Sequence, residues 1–545
     1  MSDDARSLIA YQEAIATKRQ NLDQWWQDIA LRVMPDQAKF TTIDEEGTKR
    51  IDRVFSGKPV TDNQRFAAVL DDLLTPRTQQ WHALAPDDDE ITNSQSAKEY
   101  LERLNKALFT MRYRPRANFA SQKHRGYMSV GAFGNSCLFI DENVGDGAIY
   151  RQLHMREVFW SENDQGTIDQ VYRRYCMKAH AAVKAAERFG WELPSDITKA
   201  AEKSPMQEFE FLHVVRPNDD RKTGRVDATG MPWASFYISL TGQKVLSTGG
   251  HTSWPFAIGR YTIGPGESYG RSPAMSAWGS ILTLNEQKKT ILRAGQKEVD
   301  PPILLQEDGV LEAFNLRPGA LNFGGVSTDG TPLAVPFKTG ANIPLGLELM
   351  QIESIDIEDA FLVSIFKILS ENPQMTATQV LEIVQQKATL LAPTMGQMHS
   401  EDLGPLIERE IDILARDSRF SWINDDMPPE LRERGGAYKI EYRSPLARAM
   451  RAQDGVAIMR TLEALPAALA VDKNAAYVVD IPESLRELAE INGMPAKLLR
   501  GREDVEQIIS DQNESEQAAA LAAAAPEMSA AALNAAKAEQ LRLGA

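Results

Sequence analysis

The chain has 545 residues, 43% hydrophobic, 25% charged and 8% aromatic, a balance that excludes a collagen-like, disulfide-rich or globally disordered protein. Sixty Lys and Arg against 76 Asp and Glu leave a formal net charge of -16, so adhesion to phosphate backbones is opposed unless cations are locally concentrated. The length allows roughly three or four domains, or one large multi-part subunit.

In chain order, an amphipathic helix is predicted around Leu8 to Met34, stopped by Pro35, and a second around Val60 to Leu74, stopped before Pro76. A third runs from about Ser96 to Thr110. From Gly131 to Tyr175 short apolar runs, Cys137 to Ile140 and Ala148 to Tyr150, alternate with Asp/Asn/Gly turns and predict a small antiparallel sheet. Its partner strands are expected at Phe209 to Val215, Ala234 to Leu240 and Gln243 to Ser247, with Thr241-Gly242 as a hairpin turn. Ser272-Pro273 reads as an N-cap with Pro at the first helical position, and no further Pro occurs before Pro301. One helix of roughly 40 Å is therefore expected over Pro273 to Glu298.

Pro- and Gly-rich loops and short strands are expected from Pro301 to Pro344, then a second long helix over Leu345 to Leu369. Leu349, Ile352, Ile355, Leu362, Phe366 and Leu369 form its apolar stripe. After Ser370 to Met375, Thr376 and Gln379 form a capping box that opens another long helix, kinked at Pro393 and reaching about Asp417. Ser421 to Tyr442 reads as loop and strand, and Pro445 onward as short helices. Gln517 to Ala538 is largely alanine, helix-favouring but with little apolar area to pack.

Cys137 and Cys176 form no metal-type spacing and read as reduced structural thiols. The acidic start, Met1-Ser2-Asp3-Asp4, and the lack of any run near the ~20 apolar residues of a membrane span predict neither a signal peptide nor a membrane segment. Gly266-Glu267-Ser268-Tyr269-Gly270 matches the G-x-S-x-G of serine hydrolases, which needs a strand running into the Ser and a helix starting directly after it. Gly264-Pro265 interrupts any such strand, the helix cap waits until Ser272, and the only downstream His is His399 on a predicted helix. A structural turn is expected, with a serine hydrolase using Ser268 as the alternative. Ser56-Gly57-Lys58-Pro59 lacks the phosphate-loop pattern, the glycines at 264, 266 and 270 miss the dinucleotide spacing, and the seven His are scattered. No enzyme, no cofactor and no metal are expected.

Charge is more informative. Lys289, Arg293 and Lys297 recur every four residues on the first long helix, with Lys288 beside them. On the second, Glu348, Glu353, Asp356, Glu358 and Asp359 face a single Lys367. A solvated face or simple helix pairing is one reading; if copies surround an axis, the cations stack into positive rings.

At these residues the chain resembles the portal, or head-to-tail connector, proteins of tailed bacteriophages, particularly the short-tailed type. The resemblance rests on Leu22 to Pro35 with Trp25-Trp26, Thr75-Pro76-Arg77 leading to Trp81, Gly131 to Asp141, and Gly266-Glu267 with Tyr269 to Pro273. It continues through Val299 with Pro301-Pro302, Arg317-Pro318-Gly319, Asn372-Pro373 with Met375 to Thr378, Gly404 to Ile407, and Tyr442 with Ser444 to Ala447. Gln379 and Ile383 stand where the family often has an acid and an Arg, which puts a family salt bridge there in doubt.

The resemblance implies an α+β subunit, mainly helical, assembling as a ring of about a dozen copies, a homododecamer, around a DNA channel. It implies a wing over 1–271, a first stem helix over 272–298 and a clip over 299–344. A second stem helix over 345–369, a tunnel loop over 370–375, a kinked helix returning to the wing over 376–445 and a crown over 446–545 with the alanine-rich segment complete it. Lys288, Lys289, Arg293 and Lys297 are the candidate channel residues; whether they face the lumen or pair with the acidic helix of the same or a neighbouring copy stays open. Ser370, Glu371, Asn372, Pro373, Gln374 and Met375 would be the tunnel loop. Implied partners are further copies of the chain, double-stranded DNA in transit, the terminase large subunit, a tail adaptor, and scaffolding and major capsid proteins, with no membrane. The implied place is the portal vertex of the virion, after synthesis in the host cytoplasm. A helical scaffold without DNA is the remaining alternative.

Overall fold

The computed structural model describes residues 5–42, 47–50, 54–87, 94–143, 145–225, 227–305, 315, 317–338, 340–363, 394–433, 435–443, 455–466 and 478–491, with isolated positions beyond. In chain order it begins with α1 (Ala5–Val33), α2 (Lys58–Leu74), β1 (His82–Pro86), α3 (Gln95–Arg112) and α4 (Phe119–Phe133). Strands β2 (Asn135–Asn143), β3 (Gly147–Leu153), β4 (Val158–Glu162) and β5 (Ile168–Lys178) lead to helices α5 (Ala179–Phe189) and α6 (Ser195–Lys203). Then come β6 (Glu208–Pro217), β7 (Trp233–Ser239), β8 (Lys244–His251), β9 (Phe256–Arg260), β10 (Thr262–Ile263) and β11 (Gly270–Arg271). Helices α7 (Pro273–Ser276) and α8 (Trp278–Val299) are followed by β12 (Ile303–Leu305), β13 (Ala334–Pro336) and α9 (Ile343–Ala360). A π-type turn, His399–Leu403, runs into α10 (Gly404–Arg416), and short helices precede β14 (Tyr438–Tyr442). Helices and antiparallel sheets are both extensive, so the class is α+β.

Two compact units are formed. Met1–Gln79 and Met111–Asp417 make the first, Gln80–Thr110 and Ser418–Ala545 the second. In the second, β1 pairs antiparallel with β14, His82 against Tyr442, and the Tyr100 hydroxyl donates to the Ile423 carbonyl at 2.6 Å.

The first unit corrects the expectation of one small sheet. The Cys137 and Ala148 strands join β9 in a three-stranded sheet, β3-β2-β9, while the strands from Val158 to His251 build a separate five-stranded one, β4-β5-β6-β7-β8. The second sheet is covered on both faces, which is why its strands alternate between two kinds of apolar partner. Leu212, Val214, Phe236 and Ile238 pack with Leu8 and Ile9 of α1, whereas Phe211 and Leu246 pack with Ala179, Ala182 and Ile197 of α5 and α6. Residue 131 is also helical rather than the start of the strand region, because α4 runs on to Phe133. Gly131 is required there: a Cβ would stand 2.1 Å from Asn63 Oδ1 and 2.8 Å from Phe66 of α2.

Family-like segments that are distant in sequence meet at one buried staple. Asn135 Nδ2 donates to the carbonyls of Phe133 (2.8 Å) and Gly270 (3.0 Å), and Gly270 N–H donates to Asn135 Oδ1 (2.7 Å). Gly134, at φ +74°, turns the chain against this contact; a Cβ would lie 2.5 Å from the Gly270 carbonyl oxygen. Trp26 closes the other side, its Nε1 donating to Phe133 O at 3.1 Å and its ring edge-on to Tyr269.

A second buried centre is ionic. Arg112 Nε donates to Glu410 Oε1 at 2.9 Å, a second guanidinium nitrogen binds Oε2, and the Tyr150 hydroxyl donates to the same carboxylate. Both charged side chains are fully buried. Burial disfavours the Arg112 cation, and the Glu410 carboxylate more than offsets this, holding the guanidinium above its usual pKa.

Candidate functional site: the α8–α9 hairpin

Ser272 caps α7 as expected, its Oγ accepting from Met275 N–H at 3.0 Å. The single long helix does not form, however. Ala277 leaves helical geometry at ψ 10° and separates α7 from α8. The second helix ends at Ala360, not at Leu369; Leu362 takes a left-handed φ of +60°, which breaks the ladder, and Phe366 and Leu369 lie outside the described residues.

Helix α9 returns along α8, with Gly346 opposite Ile291; a Cβ at 346 would stand 2.8 Å from Ile291 Cδ1. The end nearest the globular part of the first unit is anchored. The buried Asn285 Oδ1 accepts from the N–H groups of Phe55 (2.8 Å) and Ser56 (3.3 Å). Lys58 bridges the buried Asp62 and Glu358, joining α2 to α9, and buried Phe361 packs edge-on against Phe66. At the far end Leu292, Val299, Leu304 and Leu305 are exposed, and among the described residues β12 pairs only with β13.

Three residues of the expected apolar stripe of α9 are exposed rather than packed on α8. Leu349, Ile352 and Ile355 are about half exposed, at 45%, 56% and 49%. The buried residue is Ile357, flanked by half-buried Met350, Glu353 and Ser354, which follow Gly346 at helical spacing toward α8.

At about 100° per residue, Lys289, Arg293 and Lys297 lie roughly 160–240° around α8 from Ile291, on the side away from α9. Lys288 lies about 60° from Ile291 and is half-buried. Lys289 pairs with Glu286 of its own helix at 3.0 Å; among the described residues Lys288, Arg293 and Lys297 have no ion pair. Among the described residues the acids of α9 make no ion pair with the row: Glu358 goes to Lys58, and Lys289, Arg293 and Lys297 lie on the side of α8 away from α9. The expected tunnel-loop residues, Ser370 to Met375, and the capping box at Thr376 lie outside the described residues.

The G-x-S-x-G segment forms the loop between β10 and β11, with Thr262 opposite Arg271 and Ile263 opposite Gly270. It is a hairpin, not a strand-to-helix elbow, so the hydrolase geometry is not met. Ser268 contributes its carbonyl, which accepts from Trp160 Nε1 (3.0 Å) and Arg260 Nη1 (3.1 Å). Cys137 is buried, which pushes its thiol far above the ordinary range, and Cys176 is free. Among the described residues no cluster of His, Cys, Asp or Glu could hold a metal, and no helix is long and apolar enough to cross a membrane.

The sequence profile of the bacteriophage head to tail connecting protein family matches residues 5–499. The chain is 23% identical over 460 residues to the "Probable portal protein" of Bordetella phage BPP-1, covering 82% of this chain and 80% of that one. It is 22% identical over 518 residues to the "Portal protein" of Salmonella phage epsilon15, covering 93% and 90%. The profile match, running nearly from end to end, identifies the chain as a member of the bacteriophage head-to-tail connecting, or portal, protein family.

Proposed function

We propose that this chain is the subunit of a ring of about a dozen copies that forms the channel at one capsid vertex. Double-stranded DNA enters through it during packaging and leaves through it at ejection, while the ring docks the terminase, meets scaffolding and major capsid proteins, and joins the head to the tail adaptor. In this reading residues 1–271 and 376–445 form the wing, 272–298 and 345–369 the stem, 299–344 the clip, 370–375 the tunnel loop and 446–545 the crown.

The observation that carries the reading is the hairpin itself. It is anchored at Asn285, Lys58 and Phe361, yet exposes cations on one side and a half-apolar helix face on the other. Helices with two opposite unburied faces suit a subunit covered by a copy on each side, the arrangement of a closed heterologous ring. The acidic excess elsewhere keeps phosphate contacts few, and few contacts let DNA slide. Heads assembled in cells lacking this chain should contain no packaged DNA, and supplying the chain in trans should restore filling. Filled heads without it would refute the assignment.

A further inference from the structure

The hairpin fixes the heights of its own residues. With Ile291 opposite Gly346 and a rise of about 1.5 Å per residue in both helices, Leu345 stands level with Leu292 and Glu348 level with Lys289. The outer face of α9, about 180–260° around the helix from Gly346, carries Leu345, Glu348, Ile352, Ile355 and Asp359. No Lys or Arg occurs anywhere between Ile343 and Ala360. The outer face of α8 carries Lys289, Arg293 and Lys297 against one acid, Glu286. Beside that row lies an open, mostly apolar hollow of about 890 Å³, lined by Leu292, Arg293, Gln296, Val299, Pro302 and Ile343. The two outer faces of one hairpin are thus complementary in charge.

We propose that α9 of one copy docks on the outer face of α8 of the next, with Glu348 against Lys289 and Arg293. This rests on the ring reading above and assigns a role within it. Rotation about an axis running along the hairpin keeps heights unchanged from copy to copy, so residues level within one hairpin meet across the junction. Burying Leu345, Ile352 and Ile355 would remove the exposed apolar side chains of the outer face of α9 from water. Lys289, Arg293 and Lys297 are then junction residues rather than channel-lining ones, and Lys288, on a different side of α8, is not part of the contact.

The test uses the full chain with Cys176→Ser, to remove the free exposed thiol, and the level outer-face pair Glu348→Cys with Lys289→Cys. A short bismaleimide should convert rings of the double variant into a ladder of covalent multimers, while either single variant should stay monomeric on a denaturing gel. In parallel, Glu348→Lys should lower the ring fraction about tenfold, and Lys289→Glu added to it should recover most of that loss. Intact rings with no ladder and no effect of Glu348→Lys would overturn the interface and leave the ring standing. So would a Lys289→Gln, Arg293→Gln, Lys297→Gln variant with unchanged ring mass but altered DNA filling, which would return these cations to the channel. Failure of the unaltered chain to form rings even with its scaffolding protein would remove both readings.

Discussion

Replacing Glu410 with Gln keeps the shape of the Arg112–Glu410–Tyr150 centre and removes its negative charge. Both ions are fully buried, so solvent screens neither, and the substitution leaves a guanidinium in the core without its counter-charge. Breaking a buried pair on one side costs about 3–5 kcal/mol. With a urea m-value of about 3 kcal/mol/M, the midpoint for the unit containing Glu410 should fall by about 1–1.7 M. Urea unfolding followed by fluorescence of the nine tryptophans reads this directly. The double variant Arg112→Met, Glu410→Leu removes both charges and should cost much less than the two single losses summed. A loss under about 1 kcal/mol for Glu410→Gln would show that Arg112 finds other compensation, and would refute the ionic centre as a determinant of this unit.

Gly134→Ala should destabilise by at least about 2 kcal/mol in the same assay, because a left-handed φ and a backbone collision combine, whereas Gly166→Ala, at φ +76° with nothing nearby, should cost about 1. Equal losses would mean that the contact with Gly270 is loose. His213 is buried against Tyr237 and accepts or donates only to Ser235, and burial holds its pKa well below the usual value. The unfolded chain takes up a proton there near pH 6.5 that the folded chain refuses, so this residue contributes a fall in stability as pH drops below about 6.5. His213→Phe should flatten the stability–pH slope by about 1.4 kcal/mol per pH unit around pH 5; an unchanged slope would mean that the imidazole ionises in place. Ser268→Ala should leave the melting temperature and ring assembly unaltered, since the residue works through its carbonyl; loss of an ester-cleaving activity in purified protein would reopen the hydrolase reading.

Residues whose local chemistry is decisive were legible in the sequence. Pro35, Ser272-Pro273 and Thr241-Gly242 mark ends or turns through their own backbone and cap preferences, and the structure uses each at that place. Burial on both sides was not legible. Phe211 and Leu212 both look like core in a strand, and only the fold assigns one to α5 and α6 and the other to α1. Helices α5 and α6 carried a signal that was passed over, an Ala-rich run stopped by Gly190 at φ +69°. The stripe on α9 was legible, but not what it packs against. Periodicity locates an apolar face, and nothing in Leu349, Ile352 and Ile355 says whether it meets the same chain or another. The ionic centre escaped because Arg112 and Glu410 are 298 positions apart. The family, by contrast, was carried by short motifs in order, several of which converge at the Asn135 staple.

The most direct test of a portal ring is the native mass of the purified chain, read together with negative-stain images of the same sample. A species of roughly 700 kDa, about a dozen copies, with a central hole is the predicted result. A uniform monomer or dimer that persists in the presence of the scaffolding protein would contradict it.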